Sequence, residues 1–328
     1  MLGLAIFTTG LIAIAILVTY PKLPPLDSLQ HYQPKMPLTI YSADGQIIGV
    51  YGEQRREFTK INDFPDILKN AVIAAEDKRF YEHWGVDVWG IARAAISNIV
   101  AGGVQSGAST ITQQVAKNFY LSSERTFTRK FNEALLAYKI EQSLSKDKIL
   151  ELYFNQIYLG QRAYGFASAA QIYFNKNVKD LTLAEAAMLA GLPKAPSAYN
   201  PIVNPERAKL RQTYILNNML EEGMITSQQR DDALKEELHY ERFVQKIDQN
   251  ALYVAEMVRQ ELYEKYGEEA YTQGFHVYTT VNTANQRVAT EALRKVLRNF
   301  DRGSSYRGAE NYIEIGRAHV WTPVTLLD

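Results

Sequence analysis

The sequence predicts a mainly α protein with an N-terminal transmembrane helix, a small β-hairpin element and a C-terminal α/β segment that stops short of a domain. Three observations predict it: apolar spacing of three and four residues from about Asp66 to Leu238, an uncharged run from Leu2 to Tyr20, and the turn signal Asp44-Gly45 between two strand-like stretches. With 46% apolar residues, the 328-residue chain can bury a sizeable core. Lys plus Arg and Asp plus Glu number 36 each, so no global basic field attracts a polyanion and no nucleic-acid partner is expected. Cysteine is absent, which excludes disulfides, thiolate nucleophiles and cysteine-held metals.

Each element follows from local composition. The run Leu11 to Val18, with its upstream part, is long enough to cross about 30 Å of hydrocarbon, so residues 1–20 are expected to form a single-pass anchor. A cleaved signal peptide is the alternative, but Thr19-Tyr20-Pro21-Lys22 lacks a small-x-small cleavage site. Lys22 follows the run and no Lys or Arg precedes it, which by itself argues against a cytoplasmic N-terminus. Pro21, Pro24, Pro25, Pro34 and Pro37 predict an extended linker, and residues 38–51 the hairpin, giving a 21–58 linker and hairpin. The helical pattern then defines a main domain over 59–238. Thr110 with Gln113, Thr182 with Glu185 and Thr226 with Gln229 read as capping boxes, Asn204-Pro205 as a helix start, and Gly191 and Gly223 as helix ends. Gly274 to Val281 alternates like a strand and Asn285 to Phe300 reads as a helix, within a connector spanning 239–314. Residues 315–328 look like a translated sequencing adapter, with Trp321 where a stop codon belongs, so the natural chain is expected to be longer.

Chemistry concentrates in five segments. In Glu76-Asp77-Lys78-Arg79-Phe80-Tyr81-Glu82-His83-Trp84-Gly85, acids follow the apolar stretch Ala71 to Ala75, an edge that can hold a carboxylate half-desolvated and suited to general-base work. Read alone, Glu76 with Arg79 is also an ordinary i,i+3 surface pair, and His83 a structural hydrogen-bonding residue. Gly107 to Asn118 leads into a capped helix start carrying Ser109, Thr110, Gln113, Gln114 and Lys117, with Arg125 in the next loop, either a cradle for sugar hydroxyls and phosphates or a polar helix with solvated cations. In Arg129-Lys130-Phe131-Asn132-Glu133, a carboxylate beside two cations either pairs with them or holds a divalent ion against a diphosphate, and Phe131, Leu135, Tyr138 and Leu144 can face a core. Lys146 to Asn155 and Ala169 to Lys176 look architectural, with Ile149, Tyr153 and Ile157 as a buried stripe.

Together and in this order, the five segments resemble the glycosyltransferase domain of class A, bifunctional penicillin-binding proteins of the 1a type, from the anchor to about residue 314. The resemblance departs at Ala108, where the family usually has a second glycine. It implies a lysozyme-like helical fold and an inverting reaction that joins lipid II to a nascent glycan strand with loss of undecaprenyl diphosphate. It also implies that Glu76 deprotonates the acceptor hydroxyl and that Lys117, Arg125, Arg129 and Lys130 clamp the diphosphate. Glu133 is expected to position metal or cations, with Mg2+ or Mn2+ as the candidate cofactor, and Asp77, Ser109, Thr110, Gln113 and Gln114 to contact substrate. The implied setting is the bacterial inner membrane with the catalytic domain on the periplasmic side, among membrane lipids and other cell-wall synthesis proteins. Val86 to Val100, with Val88, Trp89, Ile91, Ala92, Ile96 and Ile99, is expected to dip into the membrane interface. Ser143 to Lys146 and Ser145 to Lys148 fit a transpeptidase Ser-x-x-Lys pattern, but no Ser-x-Asn or Lys-Thr-Gly accompanies them. A lytic transglycosylase or lysozyme-type muramidase, and a catalytically silent membrane scaffold, are the competing readings.

Overall fold

A computed structural model describes residues 10, 13–30, 32, 34–52, 55–56, 58–100, 109–121, 126–240 and 247–303. The chain divides into a larger unit, Met1–Leu38, Tyr51–Gln245 and Tyr266–Phe275, and a smaller one, Thr39–Val50, Lys246–Lys265 and His276–Asp328. Most of the predicted anchor lies outside the described residues. Among those described, no helix is long and apolar enough to cross a membrane.

The larger unit is helical. Its helices are α1 (Asp66–Glu76), α2 (Val88–Val100), α3 (Ile111–Tyr120), α4 (Phe127–Ser143), α5 (Lys146–Gln156), α6 (Phe166–Phe174), α7 (Leu183–Ala190), α8 (Pro205–Glu221) and α9 (Ser227–Lys235). All three predicted capping boxes form, each with reciprocal side-chain and backbone bonds that satisfy donors a helix start leaves open. Asn204 stands at the N-cap of α8 without a side-chain cap bond, its amide instead donating to the Ser197 carbonyl at 3.2 Å. Gly223 takes the left-handed φ of +69° expected of a helix end, whereas Gly191 keeps a right-handed φ of −77°. What Gly191 supplies is room: a Cβ there would stand 2.9 Å from Arg211 Cγ.

Helix α5 runs through the core, buried from Ile149 to Asn155, and Ile149, Tyr153 and Ile157 form the expected stripe. Phe154 meets Phe64 and Phe166 with ring centroids 4.9 and 4.7 Å apart. The proline-rich linker is not a free tether. Leu26 and Leu29 are buried in the main core, and Lys139 of α4 donates to the Pro24 carbonyl at 2.9 Å, because a short apolar pair outweighs the stretch's extended propensity. On α4 the buried face is Glu133, Leu136, Ala137 and Ile140; Tyr138 is exposed, and Phe131, Leu135 and Leu144 are half-buried. The apolar spacing thus pointed to the neighbouring face, because ion pairing carries Glu133 inward.

The smaller unit holds a three-stranded sheet in the order β2-β1-β5, of β1 (Leu38–Tyr41), β2 (Ile47–Tyr51) and β5 (His276–Tyr278). A short pair, β3 (Arg55–Arg56) and β4 (Ala163–Tyr164), belongs to the larger unit. The Asp44-Gly45 turn forms with Gly45 at φ +76°, and Asp44 also accepts the Thr283 N–H and hydroxyl at 3.0 and 2.6 Å, which holds its carboxyl down at about 2. Thr283 opens helix α11 (Thr283–Gly303), and β5 lies parallel to β1 with Ile40 opposite Val277. The hairpin therefore falls in one unit with Lys246–Lys265 and the stretch from His276 on, while Tyr266–Phe275 falls in the larger unit. Helix α10 (Leu252–Tyr266) completes the description, while residues 304–328, including the adapter-like tail, lie outside it.

Candidate active site

Glu76 is the last residue of α1, where the apolar Ala71 to Ala74 face delivers the chain to the edge of the core. Its side chain is 11% exposed. Burial pushes its carboxyl above the usual glutamate range, against the lowering effects of Gln114, Arg211 and Lys194. Gln114 Nε2 donates to Oε2 at 2.8 Å, and Arg211 Nη2 stands 3.7 Å from Oε1. The surface pairing with Arg79 does not occur, since Arg79 bonds Glu82 and Asp87 instead. Glu76 faces a cavity of about 320 Å³ whose wall also includes Arg93, Ser97, Ser109 and Tyr214.

The adjoining segments are fixed by a network that engages most of the second motif. The Asp77 carboxylate lies 3.0 Å from His83 Nε2 on both oxygens and accepts the Ile111 N–H at 3.0 Å. His83 Nδ1 accepts the Gly85 N–H at 3.2 Å, so the proton sits on Nε2 and is donated to Asp77. Thr110 donates to the Gly85 carbonyl at 2.6 Å and caps α3 with Gln113. Asp77 and Thr110 border the cavity, and Gln113 is buried beside them, with the Asp77 carboxylate, the Thr110 hydroxyl and the Gln113 Oε1 all bonded within the protein. These bonds make all three part of the frame of the site. Lys146, from a motif read as architectural, braces the same frame. It donates to the His83 carbonyl and to Glu141, both at 2.7 Å, and lies 4.6 Å from the Phe80 ring centre.

Glu133 is buried, its side chain 3% exposed, and both oxygens are taken, one by Arg129 at 2.5 Å and the other by Lys130. Lys130 also donates to Ser109 on the cavity wall at 2.8 Å. The carboxylate thus aims cations at the cavity edge, which the picture of a solvated surface pair does not describe. Glu76 and Glu133 both connect to the start of α3, one through Gln114 and the other through Lys130 and Ser109. Lys117 lies one turn beyond Gln114, exposed and without a side-chain partner among the described residues, on the neighbouring surface of α3. Arg125 lies outside the described residues, as do Gly107 and Ala108. The oxygens of Glu133 do not fit a divalent metal, since both already accept from cations, and no group of three His, Asp or Glu side chains gathers among the described residues.

Arg211 escaped the sequence reading because, inside α8, it resembles any polar helix residue. In the fold it is 8% exposed, and its guanidinium lies 4.9 and 5.9 Å from the Tyr214 and Tyr199 ring centres. Its proximity to Glu76 depends on the missing side chain at Gly191, a signal visible only in three dimensions. Arg93 and Lys194 were missed for the same reason. The whole arrangement offers a half-buried base at a cavity with a hydroxyl and several cations along its edge, suited to taking a proton where negative charge leaves.

A family profile described as transglycosylase matches residues 44–220, more than half of the chain. Penicillin-binding protein 1A of Neisseria flavescens is 89% identical over 316 residues, 96% of this chain and 40% of that protein. Penicillin-binding protein 1A of Pseudomonas aeruginosa is 47% identical over 307 residues, 94% of this chain and 37% of that protein. The chain therefore spans well under half the length of these relatives. The crystal structure of penicillin-binding protein 1A from Haemophilus influenzae superposes with a TM-score of 0.48 at 33% identity, covering 88% of this chain and 33% of that one.

Proposed function

This chain belongs to the transglycosylase family, and on that premise we propose that it polymerises lipid II into β-1,4-linked glycan strands with release of undecaprenyl diphosphate. The observation that carries the reading is the half-buried Glu76 facing a cavity that shares the Ser109 edge with the Lys130 ammonium. Glu76 takes the proton of the acceptor's 4-hydroxyl as that oxygen bonds the donor's anomeric carbon from the face opposite the leaving group. The bond from that carbon to the diphosphate oxygen breaks with inversion, and its electron pair leaves on the diphosphate.

Such a leaving group needs compensating charge rather than a proton, which Lys117, Arg125, Arg129 and Lys130 supply. Gln114 and Arg211 offset part of the effect of burial on the carboxylate, and the Asp77–His83–Thr110 network keeps α1 and α3 in register. The bundle is read as lysozyme-like.

The lipid-linked substrate stays in the bilayer, and α2 is suited to meet it there. Trp89, Ile96, Ile99 and Val100 are 72%, 64%, 79% and 83% exposed, while Gly90, Arg93, Ala94 and Ser97 of the same helix line the Glu76 cavity. The proposed location is accordingly the periplasmic face of the inner membrane. A muramidase-type hydrolase would act on a sugar leaving group that needs a general acid. Incubation with lipid II separates the readings: polymer formation supports the transferase, whereas shortening of added glycan without polymer overturns it.

A further inference from the structure

A second cavity, of about 400 Å³, lies in the larger unit around the segment before α1, the side of α6 and the turn that follows it. Because α1 rises about 1.5 Å per residue, its far end and Glu76 stand roughly 15 Å from this segment. The floor is apolar, with Ala167 and Val178 buried, and the 38%-exposed ring of Phe58 forms one side. Around it stand polar groups whose capacity the fold leaves open. The Gln171 amide and the Lys60 ammonium have no hydrogen-bond partner among the described residues. Asn177 Oδ1 accepts the Lys179 N–H at 3.0 Å, and its amide NH2 makes no such bond among the described residues. Lys179 pairs with Asp63 at 2.8 Å, so two ammonium groups face one carboxylate and a positive charge is left over.

We propose that this cavity is a second glycan site, which holds an acidic amino-sugar strand by its sugar faces and carboxylate away from the reacting end. Sugar rings present apolar C–H faces and hydroxyls together, matching an aromatic side chain beside amide donors. The leftover cation matches the carboxylate that muramyl units and their peptides carry. The inference rests on the glycan-polymerising reading, in which the strand made at Glu76 is such a polymer. A site this far off engages the strand only after it has grown, so it governs how long the strand stays bound rather than how fast each bond forms.

The experiment uses the full chain in detergent, with Lys60→Glu and Gln171→Ala as variants. Lipid II consumption should start at the wild-type rate, within twofold, while mean strand length falls at least threefold. In parallel, lipid-free oligomers of alternating N-acetylglucosamine and N-acetylmuramic acid are titrated against the Glu76→Gln chain, with chitin oligomers of equal length as the uncharged control. The acidic oligomer should bind at least fivefold tighter than the control, and Lys60→Glu should remove that preference. Unchanged strand length in both variants, or equal binding of the two oligomers, overturns the second site. An initial rate that falls in step with length also overturns it, since the residues would then serve the main cleft. Wild-type chain that makes no polymer while the binding preference persists refutes the polymerase reading and leaves the cavity's ligand intact.

Discussion

Opposing effects act on the Glu76 carboxyl, and burial is the largest of them. Burial favours the protonated form, and the Gln114 hydrogen bond with the nearby Arg211 charge favours the ionised one. Gln114→Leu removes a bond to a charged group worth about 1.5–3 kcal/mol, so the acid limb of the pH–rate profile should move to higher pH. An acid limb that stays in place would show that Gln114 does not touch the working carboxylate. The same imbalance predicts a stability effect of definite sign. A carboxyl whose folded-state pKa is raised contributes stability below its ordinary value and loses it as pH rises through the folded one. Glu76→Gln should therefore gain stability over wild type in going from mildly acid to neutral pH, checked by urea denaturation at both. At this scale the sequence showed Glu76, Glu133 and their neighbouring cations, because acids and bases were contiguous in the chain. It did not show Arg211, whose relation to Glu76 runs through the fold.

At the scale of elements, the loop from Asp77 to Gly85 holds the catalytic edge against α3 and α4. Gly85 sits at φ +92°, and an added Cβ would stand 2.7 Å from the Ala137 carbonyl carbon in the backbone of α4. Gly85→Ala should destabilise the protein by about 3 kcal/mol, combining left-handed strain with overpacking, and a denaturation midpoint equal to wild type would refute that packing. Helix boundaries were largely legible because capping is local chemistry: Thr110, Thr182 and Thr226 each found the predicted partner three residues on. Helix faces were less so. The exposed Tyr138 and the buried Glu133 invert a hydropathy rule, since ion pairing with Arg129 and Lys130 compensates a carboxylate for losing water. The pairing of β5 with β1 joins residues more than 200 positions apart, and nothing in either stretch names the other.

For the whole molecule, α2 carries both the cavity wall and an exposed apolar surface, which under the proposed function sets the cavity beside a lipid boundary. Replacing Trp89 and Ile96 together with serine should lower partitioning onto lipid vesicles by roughly tenfold or more, since each large apolar side chain contributes about 1.5–3 kcal/mol when removed from water. Both are exposed in the fold, so the thermal midpoint in detergent should hold, and undiminished vesicle binding would count against membrane contact by α2. Composition and periodicity made the helical class legible, while the docking of the proline-rich segment depended on two leucines that the sequence presents as linker. In the proposed mechanism one carboxylate activates the acceptor sugar, and the decisive measurement is the rate of lipid II polymerisation by the Glu76→Gln chain. That rate should fall by roughly two to four orders of magnitude while lipid II binding persists. Polymerisation at the wild-type rate would contradict it.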